Sequence, residues 1–146
     1  MREAIGGTWI FSIVIVFIVL FSSYLAISVN YSKAFKVKNN IISIIEQNEG
    51  LNSTAQSEIN RYLSGVGYHV YSSCDKANGE KGYGPNNKNN SYRYCVSKRT
   101  SGEGTFKKTY YKVRVFFRLD LPILSSVFVF PVTGETKAVY FANDSL

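Results

Sequence analysis

An unbroken apolar run near the start of the chain limits its fold most strongly. Residues 8–29 contain no charged residue and consist mostly of aliphatic and aromatic side chains. As a helix this run extends about 33 Å, which is enough to cross a bilayer core of about 30 Å. No other stretch of the sequence is apolar enough to span. We therefore predict two parts: an N-terminal tail and transmembrane helix over residues 1–29, and a head over residues 30–146.

A cleaved secretory signal peptide is the alternative interpretation of this run. Signal peptides usually have an apolar core of about 7–15 residues behind a basic leader. Here the core is longer, and Arg2 and Glu3 are the charged residues of the leader. Cleavage after Ser28, which ends a small-x-small triplet, would release a soluble basic domain. We favour a retained anchor, with the lipid bilayer as the partner of this segment.

The positive charge of the chain is spread along its length. The formal net charge is +7, of which +3 belongs to residues 1–38 and +4 to the remainder. Scattered basic residues disfavour nucleic-acid binding and suit a surface that tolerates anionic lipid or cell wall. Lys33, Lys36 and Lys38 follow the apolar run. The positive-inside tendency alone would place that side of the membrane in the cytoplasm.

The two cysteines favour the opposite orientation. In an exported domain, a pair such as Cys74 and Cys95 most often forms a disulfide. Closing this loop would contribute on the order of 3 kcal/mol to stability. A reduced pair in the cytosol is the alternative. Zinc would need four ligands, and His69 is the one further nitrogen or sulfur ligand, so we predict no metal site. We predict a cytoplasmic N-terminus and a C-terminal domain outside.

Helical periodicity continues beyond the apolar run, because residues 30–49 contain neither proline nor glycine. We predict one helix over residues 4–48, apolar all round in its lower half and amphipathic in its continuation, until Gly50 ends it. The amphipathic stripe comprises Ala34, Val37, Ile41, Ile44 and Ile45.

A second, shorter helix is predicted over residues 54–64. Ser53 or Thr54 would cap it. Its buried stripe comprises Ala55, Ile59 and Leu63, and Gly65 and Gly67 would close it.

From residue 67 the hydrophobic pattern changes to a period of two, which is typical of strands. We predict strands over residues 68–74, 92–98 and 109–121, the last with one apolar and one polar face. Two further extended segments, 127–130 and 136–141, form either a hairpin or one bent strand with a bulge at Gly134.

The segment 75–91 is rich in Asn, Gly and Lys and predicts an exposed, mobile loop. Within it, Lys81, Tyr83 and Lys88 form a candidate partner surface.

Packing the helix stripe across the apolar face of the sheet would bury both surfaces. The sequence therefore predicts an α+β fold, in which a long N-terminal helix packs on an antiparallel sheet of 4–5 strands within residues 67–142.

Two further features carry a family resemblance. Gly6 and Gly7 precede the long helix, and a strand, proline turn and second strand close the chain over residues 119–124 and 130–137. With the overall size, this layout resembles type IV pilin-like proteins, and the sequence is similar to the TadE-like minor pilins of tight-adherence pili. The sequence departs from the family in one respect. Pilins cut by a prepilin peptidase have a glutamate five residues after the glycine, and here Phe11 and Ser12 occupy the positions five residues after Gly6 and Gly7.

The resemblance implies a structural subunit of a surface pilus or related secretion assembly. Its partners would be other pilin-like subunits and a pilus assembly platform. The residues expected on the assembly helix are Ser22, Ala26, Ala34, Val37, Ile41 and Ile45.

Signatures of catalysis are weak. His69 is the one histidine, and Gly79, Gly82 and Gly84 lack the Gly-Lys-Ser/Thr of a phosphate-binding loop. We predict no enzyme, no cofactor and no small-molecule substrate. The alternative function is a single-pass membrane protein whose small head binds or senses a ligand through its tyrosine-bearing sheet or basic loop.

Overall fold

The structure of the protein is a computed structural model that describes residues 2–84, 90–120, 127–140 and 142. It contains helices α1 (Arg2–Gln47) and α2 (Ser53–Gly65) and strands β1 (Lys81–Tyr83), β2 (Tyr94–Ser101), β3 (Lys108–Asp120) and β4 (Val127–Glu135). The four strands form one antiparallel sheet in the order β1-β2-β3-β4. The upper half of α1 packs on β3 and β4. The predicted α+β fold is confirmed.

The long helix runs without a break from the apolar run into the head. Its buried residues begin at Ala34 and continue along one stripe to Ile45. The helix ends in a Schellman motif, in which the Gly50 amide donates to the Ile45 carbonyl at 3.0 Å and the Glu49 amide to Glu46 at 3.3 Å. The left-handed residue of this motif is Glu49, with φ 53°, and not the expected glycine.

The second helix matches its predicted stripe but not its predicted cap. Ala55, Ile59 and Leu63 are fully buried. Asn52 is the N-cap, and its side-chain oxygen accepts a hydrogen bond from the Ala55 amide at 2.8 Å. The prediction of Ser53 or Thr54 was wrong, because both residues already belong to the first turn of the helix.

The first predicted strand, residues 68–74, is not a strand. This segment is joined to the sheet through an isolated bridge between Ser72 and Tyr92. Strand β1 lies instead inside the segment predicted as a loop, where Gly82 pairs with Cys95. A side chain at position 82 would collide with the ring of Tyr92, which lies directly over it.

The long strand β3 shows the predicted alternation over most of its length. Thr109, Tyr111, Val113 and Val115 are buried, and Val113 and Val115 share the hydrophobic core with α1. On the other face, Phe116 is also buried, at 3 % exposure.

Strand β4 continues through Pro131, so of the two alternatives for this region the hairpin is wrong, and the chain runs on as one strand without a bulge at Gly134. Proline is tolerated because β4 is an edge strand. The pairing with β3 is regular through Gly134, and the extra residue falls later, between Glu135 opposite Lys112 and Val139 opposite Thr109.

Helix α1 passes very close to β4. A Cβ atom on Gly134 would lie 2.8 Å from Cδ1 of Ile42, so the missing side chain permits the approach. Just beyond β4, the Lys137 amide donates to the Glu46 carboxylate at 2.8 Å. These contacts fix the last strand of the sheet to the first helix of the chain.

Candidate functional site

The lower half of α1 presents its apolar side chains to the surroundings of the molecule. Trp9, Phe17 and Leu25 are 71 %, 67 % and 47 % exposed, respectively. Among the described residues, α1 is the one helix that is long and apolar enough to cross a membrane. Such a fully apolar helix surface is stable in lipid or against other apolar helices and unfavourable in water.

Three serine hydroxyls within this half of α1 form hydrogen bonds inside the helix. Ser12, Ser22 and Ser23 donate to the carbonyl four residues earlier, at 2.8–3.0 Å. Such bonds remove the cost of placing a hydroxyl group in hydrocarbon. These three serines are therefore compatible with a membrane anchor.

The predicted assembly residues separate into two groups. Ser22 is exposed and Ala26 is half-buried on the lower half of α1. The other four, Ala34, Val37, Ile41 and Ile45, are buried against the chain's own sheet, at 5 % exposure or less. Only Ser22 and Ala26 of this set thus remain available to a neighbouring subunit.

A row of aromatic rings lies at the base of the head, beside the point where α1 leaves it. Tyr31 meets Phe117 edge to face at 5.8 Å, Phe117 stacks on Phe130 at 5.3 Å, and Phe128 lies 6.3 Å from Phe130. Tyr31, Phe128 and Phe130 are 43–49 % exposed. We call these four residues the basal aromatic row.

A cavity of about 410 Å³ opens next to this row. Residues 30–37 of α1 form one wall, and the end of α2, the segment after it and β3 form the others. Its basic lining residues are Lys33, Lys36, His69 and Arg118, and no carboxylate lines it among the described residues. We call it the basal cavity.

The cysteines are bonded to each other, with Cα atoms 5.7 Å apart. They lie beside Glu80, and these three residues are the group of potential metal ligands found in the described part of the chain. Disulfide sulfurs carry no thiolate for a metal. The Glu80 carboxylate accepts from the Asp75 amide at 2.9 Å and forms an ion pair with Arg114. We therefore interpret this group as a structural cross-link on the outer face of the sheet.

The predicted partner surface is only partly exposed. Lys81 is exposed, with its ammonium 6.0 Å from the centre of the Tyr83 ring. Tyr83 stacks on the buried Tyr94 at 5.3 Å, so it contributes to packing of the head. Burial raises the pKa of Tyr94 and keeps its phenol neutral. Lys88 lies outside the described residues.

The basal cavity could not be foreseen as a whole from the sequence. The sequence does show that Lys33 and Lys36 lie one turn apart just after the apolar run, and this spacing indicates a basic face on the part of α1 that forms one wall of the cavity. His69 and Arg118 come from distant parts of the chain, and nothing in their local sequence indicates that they converge there.

No family model matches the chain, and comparisons with curated proteins and with solved structures find no similar protein.

Proposed function

We propose that this protein is a membrane-anchored structural subunit of pilin-like type, which joins similar subunits in a surface pilus or related secretion assembly. The observation that supports this proposal is that α1 belongs to both parts of the molecule, the apolar anchor and the folded head. One uninterrupted helix, Arg2–Gln47, is an exposed apolar rod in its lower half and the buried spine of the head in its upper half.

This arrangement suits assembly through helices. Apolar rods can pack side by side in lipid or in a filament core, while each rod holds its head at the periphery. Ser22 and Ala26 are one turn apart on the rod, and small residues at this spacing permit close approach of helices. The Cys74–Cys95 disulfide supports a head on the outside of the membrane, where disulfides persist.

Shearing of cells that make the full chain tests the assembly. We expect the chain in the sheared filament fraction together with other pilin-like subunits. Retention of all the protein in the membrane, with no associated subunit, would contradict the proposal and favour a binding or sensing head on a fixed anchor.

Cross-linking in membranes tests the role of the helix surface. Ser22→Leu or Ala26→Leu should block close helix approach while the apolar character of the helix is kept, and cross-linked oligomers should decrease several-fold. Ser28→Leu is the matched control, because position 28 points at least about 120° away from both residues on the helix. Equal losses in all three variants, or none, would contradict a specific Ser22–Ala26 contact surface.

A further inference from the structure

We propose that the basal cavity binds the phosphate of an anionic phospholipid headgroup and thereby seats the head on the membrane surface. This inference rests on the membrane anchor of the proposed function, and adds a lipid-recognition site to it.

The position of the cavity follows from the continuity of α1. The uncharged apolar run ends at Val29, and the cavity wall begins at Asn30. With a rise of 1.5 Å per residue, Lys33 and Lys36 lie roughly 6 and 10 Å beyond Val29. The headgroup layer extends about 5–7 Å beyond the hydrocarbon core. Helix side chains lean towards the N-terminus, so both lysines extend back into this layer.

The chemistry of the lining suits a phosphate diester. Lys33 and Lys36 come from α1, Arg118 from β3 and His69 from the segment after α2. Arginine binds phosphate oxygens in a bidentate manner, and lysine adds a point charge. No carboxylate lines the cavity among the described residues, so the lining is basic in character, with Lys33 and Lys36 exposed on α1.

Apolar groups complete the site for a lipid. Ala34, Val37, Val66 and Phe117 also line the cavity, which gives a glycerol backbone and the first acyl carbons an apolar wall. A volume of about 410 Å³ is large enough for a headgroup.

The basal aromatic row supports the same placement. Phe117 belongs both to the cavity wall and to the row, so the two features lie at one level of the molecule. Aromatic rings are enriched at the boundary between hydrocarbon and headgroups. The base of the head thus has an aromatic side and a basic side, both adjacent to the end of the membrane helix. Lipid binding would account for Lys33 and Lys36 after the membrane helix without placing this side of the membrane in the cytoplasm.

Lipid retention by the full chain in detergent micelles tests the inference, with native mass spectrometry as the measurement. The probes are phosphatidylglycerol and phosphatidylcholine with identical acyl chains, and inorganic phosphate. We expect roughly tenfold tighter retention of phosphatidylglycerol than of phosphatidylcholine, falling to about twofold in the triple variant Lys33→Gln, Lys36→Gln, Arg118→Gln.

The matched control removes three positive charges from elsewhere in the head: Lys98→Gln, Arg99→Gln and Lys107→Gln. These exposed residues lie towards the other end of the sheet, where Arg99 pairs with Tyr110. The control should keep the full lipid preference. Circular dichroism verifies that both triple variants are folded before lipid is added.

Three results would overturn the inference: equal retention of the two lipids by the native chain, an equal loss in the control variant, or displacement of phosphatidylglycerol by millimolar inorganic phosphate, which would make the cavity a site for free phosphate. Alkaline carbonate extraction of membranes tests the anchor separately. A chain that is extracted contradicts the proposed function, whereas a chain that resists extraction but shows no lipid preference contradicts only the lipid site.

Discussion

The hydroxyl of Tyr68 donates to the Phe116 carbonyl at 2.7 Å and accepts from the Phe116 amide at 2.9 Å. Strand β2 begins at Tyr94, which pairs with Val115, so Phe116 is the first residue of β3 beyond the end of β2. The Tyr68 hydroxyl thus provides the hydrogen bonds that a neighbouring strand would otherwise give to the buried amide and carbonyl of Phe116. Tyr68 therefore contributes to the sheet although its own backbone is not part of it.

Replacing Tyr68 by phenylalanine should destabilise the head. The change leaves the amide and carbonyl of Phe116 buried without a partner, which costs about 1–3 kcal/mol in the free energy of unfolding. Denaturant unfolding of the full chain in micelles measures it. Tyr62→Phe is the control, since the Tyr62 hydroxyl accepts an exposed bond from Asn40 and should cost little. Equal losses in the two variants would contradict the special role of Tyr68.

Stability should fall at alkaline pH because of the same phenol. Burial raises the pKa of Tyr68 from 10.0 to about 12, against smaller opposing effects of the hydrogen bond with Phe116 and the charge of Arg93. Above pH 10.0 the unfolded chain releases this proton while the folded chain retains it. The contribution of Tyr68 is therefore complete below that pH and is lost as the pH rises towards about 12.

Thermal unfolding across this alkaline range, for the native chain and for Tyr68→Phe, measures the effect. The variant should lose stability less steeply with pH. Parallel curves would show that Tyr68 titrates alike in the folded and unfolded states.

Glycine at position 49 should stabilise the end of α1. Glu49 adopts φ 53°, a left-handed conformation that costs a residue with a Cβ atom about 1 kcal/mol. Glu49→Gly should recover about 0.5–1 kcal/mol in the free energy of unfolding. Glu49→Ala, which removes the carboxylate but keeps Cβ, should give no such gain.

The end of α2 offers the reverse experiment. Gly67 has φ 67° and occupies the same place in its motif, with the Tyr68 amide donating to Leu63 at 2.9 Å. A Cβ atom at Gly67 would have open space around it, with no contact within 4 Å among the described residues, so Gly67→Ala isolates the backbone cost. A loss of about 1 kcal/mol is expected, and no loss would contradict the conformational explanation for both helix ends.

Removing the disulfide should weaken the outer layer of the head. Replacing both Cys74 and Cys95 by serine, 21 positions apart, should cost about 3 kcal/mol. Denaturant unfolding with and without reductant measures it. Reductant should destabilise the native chain and leave the double variant unchanged, and the opposite pattern would exclude a stabilising cross-link.

Long, strongly patterned elements could be predicted from the sequence. The apolar run with its amphipathic continuation indicated α1, and the alternation around Val113 and Val115 indicated β3. The segment at residues 68–74 misled because its alternation belongs to an extended chain outside the strands. It is joined to the sheet by the Tyr68 hydroxyl, the Ser72–Tyr92 bridge and the Cys74–Cys95 disulfide. Strand β1 is a Lys-Gly-Tyr triplet, which is too short to show any period.

Contacts between distant segments were not predictable in the same way. Pro131 indicated a break, but its strand lies at the sheet edge, where a missing amide costs nothing. Asn52 was passed over as a cap because Ser53 and Thr54 are equally good cap residues by type. The basal cavity has walls from three separate stretches of the chain, within residues 30–37, 62–70 and 116–118, so no local pattern encodes it.

The bond between the Lys137 amide and Glu46, 91 positions apart, has a consequence for biosynthesis. The ribosome produces the stripe around Ile41 and Ile45 long before it produces β4, which helps to cover it. During that interval the nascent helix carries an uncovered apolar strip directly after its apolar lower half. The head thus completes its folding late, after translation of β4, and a holding chaperone for this chain would find its target on that strip.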